Sequence, residues 1–168
     1  MIYRPQFAYA TPPGCRDLDY VYFFDGSNTP MLNQNFSGVD LSAPTGGIPL
    51  VLEQDAPFFW RALEVNAFRK TSGGTPSSYV NPNCTVRFKD CYENFLSDDM
   101  VPAIQYGYPA NSAALNNGLP SGIPVPITEI YTPPGGVVWF YIKVPTLGAG
   151  SFFPQVALYG VKRFKECQ

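Results

Sequence analysis

The sequence predicts an all-β protein, an antiparallel β-sandwich with long Pro/Gly-rich loops, and three observations carry that expectation. The chain holds 13 Phe and 11 Tyr in 168 residues, grouped with β-branched residues in short runs. Within those runs polarity alternates with the period of two that a half-buried strand requires. Between them lie 18 Pro and 15 Gly, the residues that end strands and make turns. A chain of this length suffices for one domain, burying roughly 70% of the surface its unfolded form exposes. We therefore expect a single domain over residues 1–168, with residues 1–19 as an extended N-terminal arm.

Tyr20 to Phe24 and Ile48 to Glu53 are the first two strand candidates. Phe58 to Arg69 is ambiguous. Phe59, Ala62, Leu63 and Ala67 could share a helical face behind Pro57, whereas Leu63, Val65 and Ala67 alternate with Glu64 and Asn66 as in a strand. The alternation favours a strand with a bulge near Arg61. Thr85 to Lys89, followed by Asp90 to Asn94 and Phe95-Leu96, reads as a hairpin. Its Val86 and Phe88 face inward, Arg87 and Lys89 face outward, and Cys91 lies near an exposed turn. Val101 to Gln105 and Ile127 to Tyr131 are further candidates. The clearest strand is Val137 to Val144, with Val138, Phe140, Ile142 and Val144 on an apolar face and Trp139, Tyr141 and Lys143 on an amphipathic one. Gln155 to Phe164 completes the set, with Gly160 marking a bulge or a close backbone approach.

Ser27 to Gly47, Lys70 to Asn83 and Tyr106 to Val125 read as long loops. Connections of this length are uncommon in a compact domain unless they have a partner, so they are the candidate interface. The last of them carries Tyr106, Tyr108, Asn111, Asn116 and Asn117, residue types that supply contact area and adaptable hydrogen bonds. Thr-Pro-Pro-Gly occurs at Thr11 to Gly14 and again at Thr132 to Gly135, each read as an extended lead-in to a turn.

The composition restricts chemistry. The chain contains no histidine, the usual general base near neutral pH and the commonest metal ligand. Asp17/Asp19, Asp98/Asp99 and Asp25 read as surface acids or turn caps rather than a glycosidase pair. Asp25-Gly26-Ser27-Asn28 resembles the start of a calcium loop but lacks its later ligands, and reads as a turn. Gly46-Gly47, Gly73-Gly74 and Gly135-Gly136 are not followed by the Gly-Lys-Ser/Thr of a phosphate loop. We expect no enzymatic activity, no metal and no cofactor.

A net charge of −2 gives no electrostatic reason to bind nucleic acid. Lys162, Arg163 and Lys165, the one basic cluster, read as a solvated strand end. No run approaches the roughly 20 apolar residues that cross a bilayer, so no membrane association is expected. Cys15, Cys84, Cys91 and Cys167 lack C-x-x-C spacing and read as thiols. Trp60, Trp139 and several tyrosines could form a sugar-binding platform, although core packing explains them more economically.

Met1-Ile2-Tyr3-Arg4-Pro5, Phe58-Phe59-Trp60-Arg61, Val86-Arg87-Phe88-Lys89-Asp90 and Ile130-Tyr131-Thr132-Pro133-Pro134-Gly135-Gly136 together span most of the chain. Their order resembles small virion proteins of tailed double-stranded DNA bacteriophages, especially capsid cement or decoration proteins with jelly-roll-like folds. The resemblance implies a non-enzymatic structural protein on the capsid exterior, made in the host cytoplasm, with the major capsid protein as partner and a dimer or trimer as its own state. It carries over no catalytic residue. Interface contacts are then expected from Tyr3, Arg4, Phe7 and Tyr9 on the arm and from the Tyr106 to Val125 loop. A neck, tail or fibre-attachment component of the virion is the alternative within the same class, and a carbohydrate-binding module for a host surface glycan is the alternative from another.

Overall fold

The computed structural model describes residues 11–70, 76–80, 83–106, 124–146 and 150–165. Within them nine strands follow one another: β1 (Cys15–Phe24), β2 (Ile48–Val51), β3 (Phe58–Lys70), β4 (Pro76–Val80), β5 (Thr85–Lys89), β6 (Val101–Pro102), β7 (Val125–Thr132), β8 (Val137–Lys143) and β9 (Ser151–Lys165). They form two antiparallel sheets. One is ordered β1-β9-β3-β4, with β7 also paired to β3, and the other is ordered β2-β8-β5-β6. Among the described residues there is no α-helix, and two 3-10 turns occur at Pro30–Leu32 and Ala103–Tyr106.

Alternation explains why the sheets stack. Phe58, Trp60, Leu63 and Val65 of β3, with Val156 and Leu158 of β9, point into the same hydrophobic cluster as Ile48 and Leu50 of β2, Val86 and Phe88 of β5, and Val138, Phe140 and Ile142 of β8. Each such side chain contributes about 1.5–3 kcal/mol on burial, and the shared cluster makes the architecture sandwich-like. Val86 and Phe88 face inward as the sequence predicts, with Phe88 and Phe140 rings 5.2 Å apart.

β3 is a strand with its bulge at the expected place. Its register against β9 shifts between Trp60 and Ala62, which leaves Arg61 as the extra residue, whereas against β7 the same step spans Ile130 to Pro126 and the extra residues lie on β7. Gly160 sits opposite Trp60, and a Cβ there would lie 2.0 Å from the Phe59 carbonyl oxygen. The glycine is therefore a close backbone approach that the bulge creates.

Several elements differ from the sequence reading. β1 begins at Cys15, inside the stretch expected as an arm, and pairs with β9 without interruption from Cys15↔Lys165 to Phe24↔Val156. β9 begins at Ser151 rather than Gln155, because Pro154 is tolerated there. β1 covers only Val156 to Lys165, so the side of Pro154 that lacks an N–H meets no described strand. Val101 to Gln105 is strand for two residues only. Pro102 cannot donate onward, and the Ala103 N–H turns back to the Cys84 carbonyl at 2.9 Å. Tyr141, on the face read as amphipathic, is fully buried beneath Gly47, and its hydroxyl donates to the Pro44 carbonyl at 3.2 Å.

Ser27 to Gly47 is no free loop. Leu32 and Phe36 are fully buried, the Phe36 N–H donates to the Phe152 carbonyl at 2.9 Å, the Leu41 N–H donates to the Ile142 carbonyl, and the Val144 N–H donates to the Val39 carbonyl, the last two at 2.8 Å each. It contributes Leu32 and Phe36 to the core. Part of the expected Lys70 to Asn83 loop is β4.

Candidate functional site

Of the expected interface residues, Tyr3, Arg4, Phe7, Tyr9, Tyr108, Asn111, Asn116 and Asn117 lie outside the described residues. Tyr106 is described. It ends the second 3-10 turn half-buried, edge-on to Phe88 with ring centroids 5.6 Å apart, and burial raises its hydroxyl pKa. It also lines an open groove of about 390 Å³ with Leu96, Val125, Ile127 and Ile130, running along β7. A second open groove, also about 390 Å³, lies between Asp25, Ser27 and Asn33 on one side and Phe153 and Gln155 on the other.

Lys162 and Arg163 each hold carboxylate partners. Lys162 is buried where β9 ends, with its ammonium 3.8 Å from the centre of the Tyr20 ring and paired to Glu53 and, at 2.9 Å, Asp55. Burial alone would lower its pKa, but the hydrogen bonds to Glu53 and Asp55 outweigh that and hold it above the ordinary lysine value. The same bonds hold both carboxyls below their ordinary values. A lysine kept protonated and carboxyls kept ionised form a clamp between the Glu53–Asp55 loop and β9, a poor arrangement for proton transfer. Asp17 accepts two bonds from Arg163, at 2.7 and 2.8 Å, which lower its pKa. Asp25 caps the Ser27 N–H at 2.8 Å, and Asp99 the Met100 N–H at 2.7 Å, so both act in turns as the sequence suggests. Among the described residues, no group of three or more Cys, Asp or Glu is placed to hold a metal.

Cys15, Cys84 and Cys91 are free thiols. Cys84 is buried, and desolvation pushes its pKa to about 12, so it is inert at neutral pH.

Trp60 is wholly buried and available to no glycan. Trp139 is half-buried with the Lys89 ammonium 5.4 Å from its ring centre. The exposed aromatics lie elsewhere. Arg163, held by Asp17, stacks over Phe59 at 4.2 Å; Phe59 meets Tyr131 at 5.3 Å; and Tyr131 lies nearly parallel to Tyr92 at 6.4 Å. Tyr131 is 42% exposed and Tyr92 is 55% exposed. This strip runs from β1 through β9, β3 and β7 to the turn after β5. The sequence offered little signal for it, because the strip unites five distant segments. No protein-family model matches the chain, and no curated protein is significantly similar to it.

Proposed function

We propose that this chain is a non-enzymatic structural protein of a virion, a capsid cement or decoration protein that binds the outer shell and holds neighbouring major capsid subunits together. The reading draws on the resemblance to small phage virion proteins. The observation that carries it is the continuous strip from Asp17 and Arg163 through Phe59 to Tyr131 and Tyr92. Exposed tyrosines, one on β7 and one in the turn after β5, continued by a phenylalanine under an arginine, are the composition of a protein-binding surface: large contact area at low entropic cost. A jelly-roll connection of the two sheets belongs to the same proposal. Many modest contacts of this kind, repeated over a symmetric shell, would add by multivalency.

Co-sedimentation with assembled, undecorated capsids tests the reading. Wild type is expected to pellet with shells. Tyr92→Ala/Tyr131→Ala, both exposed, should retain the wild-type melting temperature and lose binding about tenfold or more. Deleting residues 1 to 12 should likewise leave a folded chain that no longer pellets; retained binding would remove the arm from the interface. A copy number in purified virions comparable to that of the major capsid protein supports cement. A few copies per particle would assign the chain to neck, tail or fibre, and absence from the virion would overturn the proposal.

A further inference from the structure

The five-stranded sheet turns one face to the core, and its other face is buried at the centre as well. Phe58, Trp60, Leu63 and Val65 of β3 point into the core cluster with Val156 and Leu158 of β9. The residues between them face the opposite way, with Phe59 beside Val161, Ala62 beside Tyr159 and Glu64 beside Ala157. A sheet face open to water carries exposed side chains, yet Ala62, Glu64, Ala157 and Val161 are only 0%, 3%, 3% and 4% exposed. The Glu64 carboxyl accepts from the Tyr159 hydroxyl at 2.6 Å and from the Asn66 amide at 2.9 Å, which satisfies it without water. Val21 and Phe23 of β1, paired to Tyr159 and Ala157 at the rim of the same face, stay 44% and 40% exposed. The burial is therefore that of a seat along the middle of the face, with an apolar floor and a rim.

We propose that the chain's own residues 1–10 fold back across this face and occupy the seat over Ala62, Ala157 and Val161. The place where the described chain begins points there. The Cys15 N–H donates to the Pro12 carbonyl at 3.1 Å with Gly14 at a φ of 73°, a turn that sends the residues before Pro12 back in the direction in which β1 runs. The Thr11 hydroxyl donates to Asp17 at 3.3 Å, and Asp17 stands on the outer face with Arg163. Alternate side chains of an extended segment share a side, so with Thr11 turned to the sheet, Tyr9, Phe7, Pro5 and Tyr3 turn to it too. The length suffices: from Asp17 to Phe23 β1 advances about 20 Å, and ten extended residues reach about 33 Å. Charge is complementary, since residues 1–10 carry Arg4 and no carboxylate, whereas β1 presents Asp17 and Asp19 on this face. A tether this short keeps the occupant at an effective concentration on the order of millimolar. The seat borders the exposed strip at Phe59 and leaves Tyr131 and Tyr92 open. The inference stands apart from the virion reading, because it is measured on the isolated chain.

Hydroxyl-radical footprinting read by mass spectrometry tests it. Deleting residues 1–10 is expected to raise oxidation of Val161 and Tyr159 several-fold and to leave that of Tyr92 and Tyr131 unchanged. Phe7→Ser/Tyr9→Ser in the full-length chain should raise the same two residues. Should the deletion fail to fold, NMR on wild type decides the matter, where nuclear Overhauser contacts are expected between the Phe7 and Tyr9 rings and the Ala62 and Ala157 methyls. Absence of those contacts, or unchanged oxidation in a folded deletion variant, would overturn the proposal. So would protection that is lost only when residues 107–123 are replaced by a Gly/Ser linker, which would make that segment the cover. Protection that fades on dilution would assign the seat to residues 1–10 of a second copy and equally overturn the fold-back.

Discussion

Lys162 ties the end of β9 to the Glu53–Asp55 segment. Its ammonium is buried, yet both of its carboxylate partners are about half exposed, so the pair contributes modestly at neutral pH. The pH dependence follows from the directions of the shifts. Glu53, Asp55 and Asp17 have folded pKa values below their ordinary 4.5, 3.8 and 3.8, so their contribution is complete above those values and is lost as pH falls through the folded ones. Lys162 is raised above 10.5, so its contribution is complete below that value and is lost only in strong alkali. Stability is therefore expected to be level from about pH 5 to pH 8, to fall below about pH 4.5, and to fall again in alkali, where the Cys84 thiol, pushed up to about 12 by burial, stays protonated in the fold while it ionises in the unfolded chain. Lys162→Met keeps the packed stem and removes the charge. It should cost about 1 kcal/mol at pH 7 and make the acid decline shallower, with Asp17 and Arg163 still titrating in that window. Urea unfolding of both proteins across pH 3 to 8 reads both effects, and an unchanged acid slope would show that Lys162 does not set it.

At the scale of elements, the bulge of β3 and the glycine of β9 form one device. The extra residue at Arg61 pushes the Phe59–Trp60 backbone against Gly160, leaving 2.0 Å where a Cβ would stand. Backbone cannot yield as a side-chain tip can, so Gly160→Ala is expected to cost about 3 kcal/mol or more, measured by thermal or urea unfolding. Gly14→Ala is a poor control, since its φ of 73° strains any side chain. Both halves of the device were legible in the sequence, Arg61 from the break in alternation and Gly160 from a glycine inside a strand. β5, β8 and the apolar face of β8 were legible for the same reason: alternation is a local signal. What was not legible depends on distant partners. Cys15 to Asp19 look polar and loop-like until β9 pairs with them, Phe36 becomes core because Phe152 receives its N–H, and Tyr141 is covered by a segment nearly a hundred residues away. The exposed strip has the same character. Arg163 reads as a solvated cation until Asp17 and Phe59 fix it in place.

For the whole molecule, the decisive pairing joins the two ends of the described chain. β9 lies between β1 and β3, so β1 has no described partner strand until residue 156 and beyond is available. Non-local pairing of this kind makes folding slow, on the order of milliseconds to seconds, because loop closure precedes its reward. It also means that the sheet fails as a unit. A chain truncated after Gly150 loses buried Phe152, Val156, Leu158 and Val161 together with the clamp at Lys162, and leaves β1 and β3 facing an empty strand position. It is expected to lack a cooperative unfolding transition by circular dichroism, whereas deletion of residues 1 to 12 removes one described backbone hydrogen bond, Cys15 N–H to the Pro12 carbonyl, and should leave the transition in place. A truncated chain that unfolds cooperatively would show that β2 through β8 form a self-sufficient body and that β9 merely covers it. The expected result ties β1 to folding: until β9 arrives, that strand has no described partner strand, so it is a stretch exposed to mispairing early.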